Sequence, residues 1–449
     1  MREKQQKQMP LMAHIKDHPQ SKELETISAI IEKNPTISEM ALQDLTFGKS
    51  PTQHAGAKGM SADQVVRSTV VKTLYNFTYK ELAFHIVDSQ SLRWFCRIGI
   101  GEEGFKKSTL NRNIKSISDQ TWEAINRCLV EYARGQKIEK GRQVRIDCTC
   151  VETNIHQPSD SSLLYDGVRV LTRLIQQAKG AGVRVPGFSN HRRRAKRRML
   201  AVMNAKNKKQ RKAAYTDLLK VADKVLEYAR AAQINMFGCF SLRVFAISEA
   251  VKHNAVLMVK IIDQTRRRVL LGEKVPAREK VVSIFEPHTD IIIKDRRDTI
   301  YGHKICLTGG ASNLILDCRI FEGNPPDSSL TISMLDRQKD IYGRYPLKAS
   351  LDGGFVSKAN LEKAKERKIK DICFSKKRGL EKTDMCRSEY VYNRLRRFRA
   401  GIEAGISWLK RCMGLSRCTW KGWHSFKSYV WSSIVAANLL TLARVRLSG

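Results

Sequence analysis

Gln143-Val144-Arg145-Ile146-Asp147-Cys148-Thr149-Cys150-Val151 is the stretch on which the fold turns. Its side chains alternate, which is the period-two signature of a strand. Val144, Ile146, Cys148 and Cys150 share one face; Arg145, Asp147 and Thr149 share the other. The chain before it has a helical period, and strand patterns return after Pro276. This strand therefore opens a mixed α/β layer that is interrupted by a helical insertion.

Upstream, Leu24, Ile27, Ile30 and Ile31 form one amphipathic stripe, and Val65, Val66, Thr69, Val70 and Leu74 a second. Thr78 and Glu81 have capping-box spacing at the start of a third helix. Short helices with Arg93, Arg97, Lys106, Lys107 and Arg112 beside them fit a helix-turn-helix unit, or a plain bundle with a basic face. Residues 1–20 read as a polar tail and 21–140 as an N-terminal helical DNA-binding domain. Residues 141–164 begin the α/β core and 276–449 complete it.

Between these two parts, 165–275 reads as a basic helical insertion. Residues 167–216 hold fifteen Lys or Arg and no Asp or Glu. The densest part contains Arg192, Arg193, Arg194, Lys196, Arg197 and Arg198. Downstream, the strand candidates are Val281 to Phe285, Ile291 to Lys294, His303 to Thr308 and Leu314 to Phe321, with Gly309-Gly310 as a hairpin turn. A helix from Ser328 to Tyr342 leads to a strand, Leu347 to Asp352, with Leu347, Ala349 and Leu351 expected on its core face. Ser357 caps a helix from Lys358 to Arg367. A strand from Ile369 to Phe374 follows, then helices around Tyr390 to Met413 and Phe426 to Arg444.

Composition narrows the function. The 449 residues include 81 Lys or Arg against 44 Asp or Glu, a formal net charge of +37. Such a field favours a polyanionic partner, DNA or RNA first. Hydrophobic residues make up 42% of the chain, which argues against disorder. The N-terminus lacks the apolar segment of a signal peptide, and the longest apolar run, Val430 to Ala443, is broken by polar residues and reads as a buried helix. Eleven scattered cysteines fit reduced thiols in a cytosol. Cys148 and Cys150 form a lone C-x-C pair without the second pair a zinc site needs.

Three acids stand out. Asp147 and Asp352 lie on the non-core faces of strands near their ends, where carboxylates are well placed to share a metal ion. Glu403 is the one carboxylate among the sixty residues from Tyr390 to Gly449, which hold eleven Lys or Arg. At helical spacing Arg396, Arg399, Glu403 and Lys410 share one face. The pattern fits either a surface salt-bridge helix, though such helices usually carry balanced charge and this one does not, or a metal ligand at the edge of a DNA-binding groove.

On these residues the chain resembles the DDE transposases of bacterial insertion sequences, and among them the ISNCY group. Asp147 in Arg-Ile-Asp-Cys-Thr, Asp352 in Leu-Asp-Gly-Gly-Phe and Glu403 in Gly-Ile-Glu-Ala-Gly match that family's triad. Arg399, Glu403 and Lys410 fit the Y-x2-R-x3-E-x6-K signature of one branch, with Arg396 where the Tyr would be. Thr153-Asn154-Ile155-His156-Gln157-Pro158-Ser159-Asp160-Ser161 resembles the T-x-I-x-x-P-x-D-S loop behind the first Asp. Phe285 to Asp290 and Tyr301 to Lys304 resemble the segments that enter the second strand.

The resemblance implies an RNase H-like mixed sheet with flanking helices. It also implies a metal-dependent DNA transposase that cuts at its element's ends and joins the 3′-hydroxyls to target DNA. Asp147, Asp352 and Glu403 would bind two Mg²⁺ ions, with Mn²⁺ as a substitute. Arg396, Arg399, Lys410 and the run from Arg192 to Arg198 would hold double-stranded DNA, with His156 and Asp160 as supporting residues. The working unit would be a homodimer in a synaptic complex, in the bacterial cytoplasm beside the nucleoid and away from membranes. Two rivals remain open: a non-catalytic nucleic-acid-binding protein, and an RNase H-like endonuclease without strand transfer. Asp317 is a rival ligand, and Trp408, Trp420, Trp423 and Trp431 are candidates for stacking on bases.

Overall fold

The computed structural model describes residues 18–48, 59–99, 101–239, 241–294 and 298–448. Residues 1–17 of the expected tail lie outside the described residues. His18 caps the first helix, and Pro19 takes its first position. The helices are α1 (Pro19–Glu32), α2 (Thr36–Thr46), α3 (Ala62–Leu74), α4 (Tyr79–Asp88), α5 (Gln90–Phe95), α6 (Lys107–Ser116), α7 (Asp119–Gly135), α8 (Asp160–Gly180), α9 (Arg192–Met203), α10 (Lys208–Met236), α11 (Leu242–Thr265), α12 (Asp327–Tyr342), α13 (Lys358–Glu366), α14 (Lys382–Met385), α15 (Glu389–Cys412) and α16 (Trp423–Ser448). The strands are β1 (Gln143–Glu152), β2 (Asp290–Lys294), β3 (Asp298–Gly309), β4 (Ile315–Ile320), β5 (Lys348–Leu351) and β6 (Asp371–Phe374).

The chain divides into two compact units. One comprises residues 1–151, 304–321 and 325–449; the other comprises 152–303 and 322–324. In the first, the strands run in the order β4–β3–β1–β5–β6. β1, β5 and β6 are parallel neighbours, and β3 and β4 form the expected antiparallel hairpin. The N-terminal helices do not stand apart, so residue 140 does not end a compact unit. The reason is α16, which is apolar on every side and so must be covered on every side. It packs on α7, α1 and α3. Its composition would suit a membrane span, but 72% of its apolar window is buried. Within it, Asn438 Nδ2 donates to Asn126 Oδ1 on α7 and to the Ile315 carbonyl on β4, and its Oδ1 accepts from the Ile315 N–H. One side chain thus satisfies polar groups on two other elements inside the apolar core.

The second unit is wider than the 165–275 stretch expected as an insertion. Its core lies among α8, α9, α10 and α11, and it takes in β2 and the first half of β3. Val281 to Phe285 is not a strand. The Gln264 side chain takes the place of a ladder partner: its Oε1 accepts from the Val281 N–H and its Nε2 donates to the Val281 carbonyl. On α9, Ala195 and Val202 are buried, while Arg193, Lys196 and Arg197 are exposed. Arg194 and Arg198 on that helix both pair with Asp217.

Candidate active site

The register of β1 and β5 brings two of the acids together. Arg145 is level with Ser350 and Ile146 with Leu351, so Asp147 and Asp352 come next, side by side. The face they share was expected to be the non-core one, yet α15 covers it. Ser350 Oγ donates to the Leu395 carbonyl. Arg145 Nη1 donates to the Phe398 carbonyl at 3.1 Å, Nη2 donates to Asn313 Oδ1, and the guanidinium lies over the Phe398 ring. These contacts lay α15 across the strands. Arg399 follows Phe398, and Glu403 comes one turn later.

The strand alternation fails at Leu347, which is 39% exposed. The N–H groups of both Leu347 and Lys348 donate to the Arg142 carbonyl, so regular pairing starts only at Lys348.

Arg399 joins the three acids. Nη2 donates to Glu403 Oε1 at 2.8 Å. Nη1 stands 3.7 Å from Asp147 Oδ2 and 3.5 Å from Asp352 Oδ1. Nε and Nη1 are buried and make no hydrogen bond. Among the described residues no three His, Cys, Asp or Glu side chains stand as a ready-made metal cluster; the carboxylates are drawn round the guanidinium instead.

The two aspartates respond differently. Burial pushes the Asp147 carboxyl up to about 6, with the charges of Asp352 and Glu403 acting in the same direction and the Cys148 N–H and Arg399 against it. Burial also opposes the charge on Asp352. There the Ser375 hydroxyl, the N–H groups of Gly353 and Gly354 and Arg399 outweigh it, so the carboxyl lies below its usual range.

A hard divalent cation fits this donor set. The oxygens come from three elements, they surround a point already taken by a cation, and two buried nitrogens of that cation go without hydrogen bonds.

The other expected residues lie elsewhere. Arg396 is exposed on α15, and Lys410 lies two turns beyond Glu403, partly buried. His156 and Asp160 belong to the second unit. His156 is exposed and stands 3.6 Å from Asp166. Asp160 follows the Ser159 cap of α8 and accepts from Arg268 Nη1 on both oxygens, each at 2.9 Å, and from Gln264 Nε2 at 3.4 Å. Asp317 is buried against Arg337, at 2.5 Å and 2.6 Å, and is spent as an ion pair. Trp420 and Trp431 are core residues, Trp423 stacks on Phe426, and Trp408 lines a cavity of about 560 Å³ beside Arg145 and Gly401. Arg93 is bound to the Gly99 and Glu102 carbonyls and Arg97 to Glu32, which leaves Lys106, Lys107 and Arg112 exposed.

Sequence reasoning missed the depth of Arg145. It shares a face with Asp147, but only the tertiary structure shows that α15 buries it. Gly401 is the signal that could have revealed it, since a Cβ there would meet the Arg145 guanidinium.

Comparison with known families gives two matches. Residues 286–439 match the family described as Transposase DDE domain, and residues 13–116 match Transposase domain (DUF772). The first span contains Asp352 and Glu403; Asp147 lies before it. No curated protein and no solved structure matches the chain.

Proposed function

The chain belongs to the DDE transposases, and from that premise we propose that Asp147, Asp352 and Glu403 hold the divalent metal ions with which it cuts and rejoins DNA. The protein is a DNA transposase, and its family uses a divalent metal. The observation that carries the residue assignment is the meeting of the three carboxylates around Arg399: Asp147 from the middle of β1, not its end as expected, Asp352 from just past β5, and Glu403 from α15.

Two Mg²⁺ ions, or Mn²⁺ in their place, are the proposed occupants. When bound they would activate the attacking hydroxyl and stabilise the leaving oxygen of an in-line displacement. Asp147, Asp352 and Glu403 would supply the carboxylate oxygens that hold them. The chain's own groups do the rest. Ser375 and the turn after β5 keep Asp352 ionised and oriented. Arg145 holds α15 so that Glu403 faces the strands. Arg399, with Lys410 and Arg396 on the same helix, meets the charge of the DNA phosphates. Arg192, Arg193, Arg194, Lys196, Arg197 and Arg198 grip the backbone without reading sequence, and the N-terminal helices read the terminal repeats. The unit at work is a homodimer that pairs two element ends, in the bacterial cytoplasm beside the nucleoid. The loop from Thr153 to Ser161 resembles that of several DDE groups, and of these we place the chain with the ISNCY group.

Strand transfer in vitro tests this reading. A fragment with the gene's own flanking sequence is incubated with plasmid and Mg²⁺, using wild type and Glu403→Gln. Joined products from wild type alone are expected. Joining that survives Glu403→Gln removes Glu403 from the triad, and cleavage without joining favours the endonuclease.

A further inference from the structure

Asp147, Asp352 and Glu403 carry three negative charges when ionised, and Arg399 returns one. Elsewhere in this protein a partly buried arginine meets its acid through paired hydrogen bonds. Arg337 gives two nitrogens to Asp317, at 2.5 Å and 2.6 Å. Arg399 forms only one such bond, to Glu403. Its Nη1 lies 3.5 Å and 3.7 Å from the two aspartates with no hydrogen bond, and its Nε is likewise unpaired. Hydrogen-bond geometry therefore does not fix this side chain. It rests among the three acids, within 4 Å of each.

We propose that Arg399 is a built-in counter-ion, which occupies the metal-binding carboxylates in the unloaded protein and is released towards DNA phosphate as a divalent cation takes its place. The inference rests on the assignment of the three acids as metal ligands. The carboxylate oxygens cannot serve the guanidinium and a metal ion at full strength together, so the two cations compete. A phosphate that draws Arg399 away removes the competitor. DNA then raises metal affinity, and metal raises DNA affinity by the same factor. Arg399 is a positioning residue here: it keeps three mutually repelling acids gathered until the ion arrives.

Two measurements test this. In the first, Mn²⁺ is titrated without DNA into wild type, Arg399→Gln, Arg399→Lys and Asp352→Asn, and free Mn²⁺ is read by electron paramagnetic resonance. Arg399→Gln is expected to bind Mn²⁺ more tightly than wild type, by roughly five- to a hundredfold, while Arg399→Lys, which keeps the charge, stays nearer to wild type. Equal or weaker binding by folded Arg399→Gln overturns the proposal and leaves the triad standing. Wild type that binds no better than Asp352→Asn removes the triad itself.

The second measurement needs no variant. Phenylglyoxal modification of Arg399 in wild type, followed by mass spectrometry, is expected to quicken when Mn²⁺ is added and to slow again with DNA. An unchanged or slower rate with Mn²⁺ overturns the exchange.

Discussion

Asp147 shows what the site costs the fold. Its carboxyl is raised from 3.8 to about 6, first by burial. A raised carboxylate binds its proton more tightly folded than unfolded. The associated stability is present below about pH 4 and is lost as pH rises through 6. At neutral pH the ionised Asp147 is therefore a net burden on the metal-free protein. Asp147→Asn should be more stable than wild type at pH 7.5, by about 1–3 kcal/mol, and the gap should narrow as pH falls below about 6 and close near pH 4. Thermal melts in metal-free buffer across that range check this, and a wild type as stable as Asp147→Asn at pH 7.5 contradicts it. Part of this site was legible beforehand. The alternation around Asp147 and the i, i+4 spacing of Arg399 and Glu403 stand in the sequence. The reach of Arg399 to Asp147 and Asp352 does not, because it depends on how α15 crosses two strands that are remote in the chain.

The seating of α15 hangs on small contacts. A Cβ at Gly401 would collide with Arg145, whereas one at Gly405, a turn further on, meets nothing within 4 Å. Gly401→Ala should lift α15 and cut strand cleavage at least tenfold, because Glu403 moves with the helix. Gly405→Ala should leave cleavage near wild type and add up to about 1 kcal/mol of stability through helix propensity. Equal activity of the two variants would mean that Arg145 does not govern the seat.

Another local test concerns Asp317, a rival ligand by sequence. Asp317→Asn leaves Arg337 with Glu123 as its remaining acid and should cost about 1–3 kcal/mol, with Mn²⁺ binding to the folded protein unchanged. A loss of Mn²⁺ binding would return Asp317 to the list of ligands. The elements themselves were readable where the signal was local, as in the Thr78–Glu81 capping box and the Gly309-Gly310 turn. They were misread where a distant side chain intervened. Gln264 supplies the bonds that a strand would have supplied to Val281, and the shared Arg142 carbonyl delays the start of β5.

At the scale of the molecule the charge of +37 pointed to a polyanion, but the sum did not reveal which cations are already spent. Arg194 and Arg198 are tied to Asp217, and Arg266, Arg267 and Arg268 each pair with an acid. Arg193, Lys196 and Arg197 are exposed on the same helix, α9. A cation that neutralises a DNA phosphate releases a counterion, so each one steepens the fall of affinity with salt by about 0.9 in log–log slope. Replacing Arg193, Lys196 and Arg197 together by Gln should therefore lower that slope by up to about 2.7. Replacing Arg194 and Arg198 should lower it by less per residue, since their charge is already shared with Asp217. Fluorescence anisotropy with non-specific duplex DNA between about 50 and 200 mM salt reads both. Because these contacts are to the backbone, affinity should fall alike for the element's ends and for unrelated sequence. A selective loss at the ends would make α9 a reader of sequence, and an unchanged slope would place the DNA track on another face of the protein.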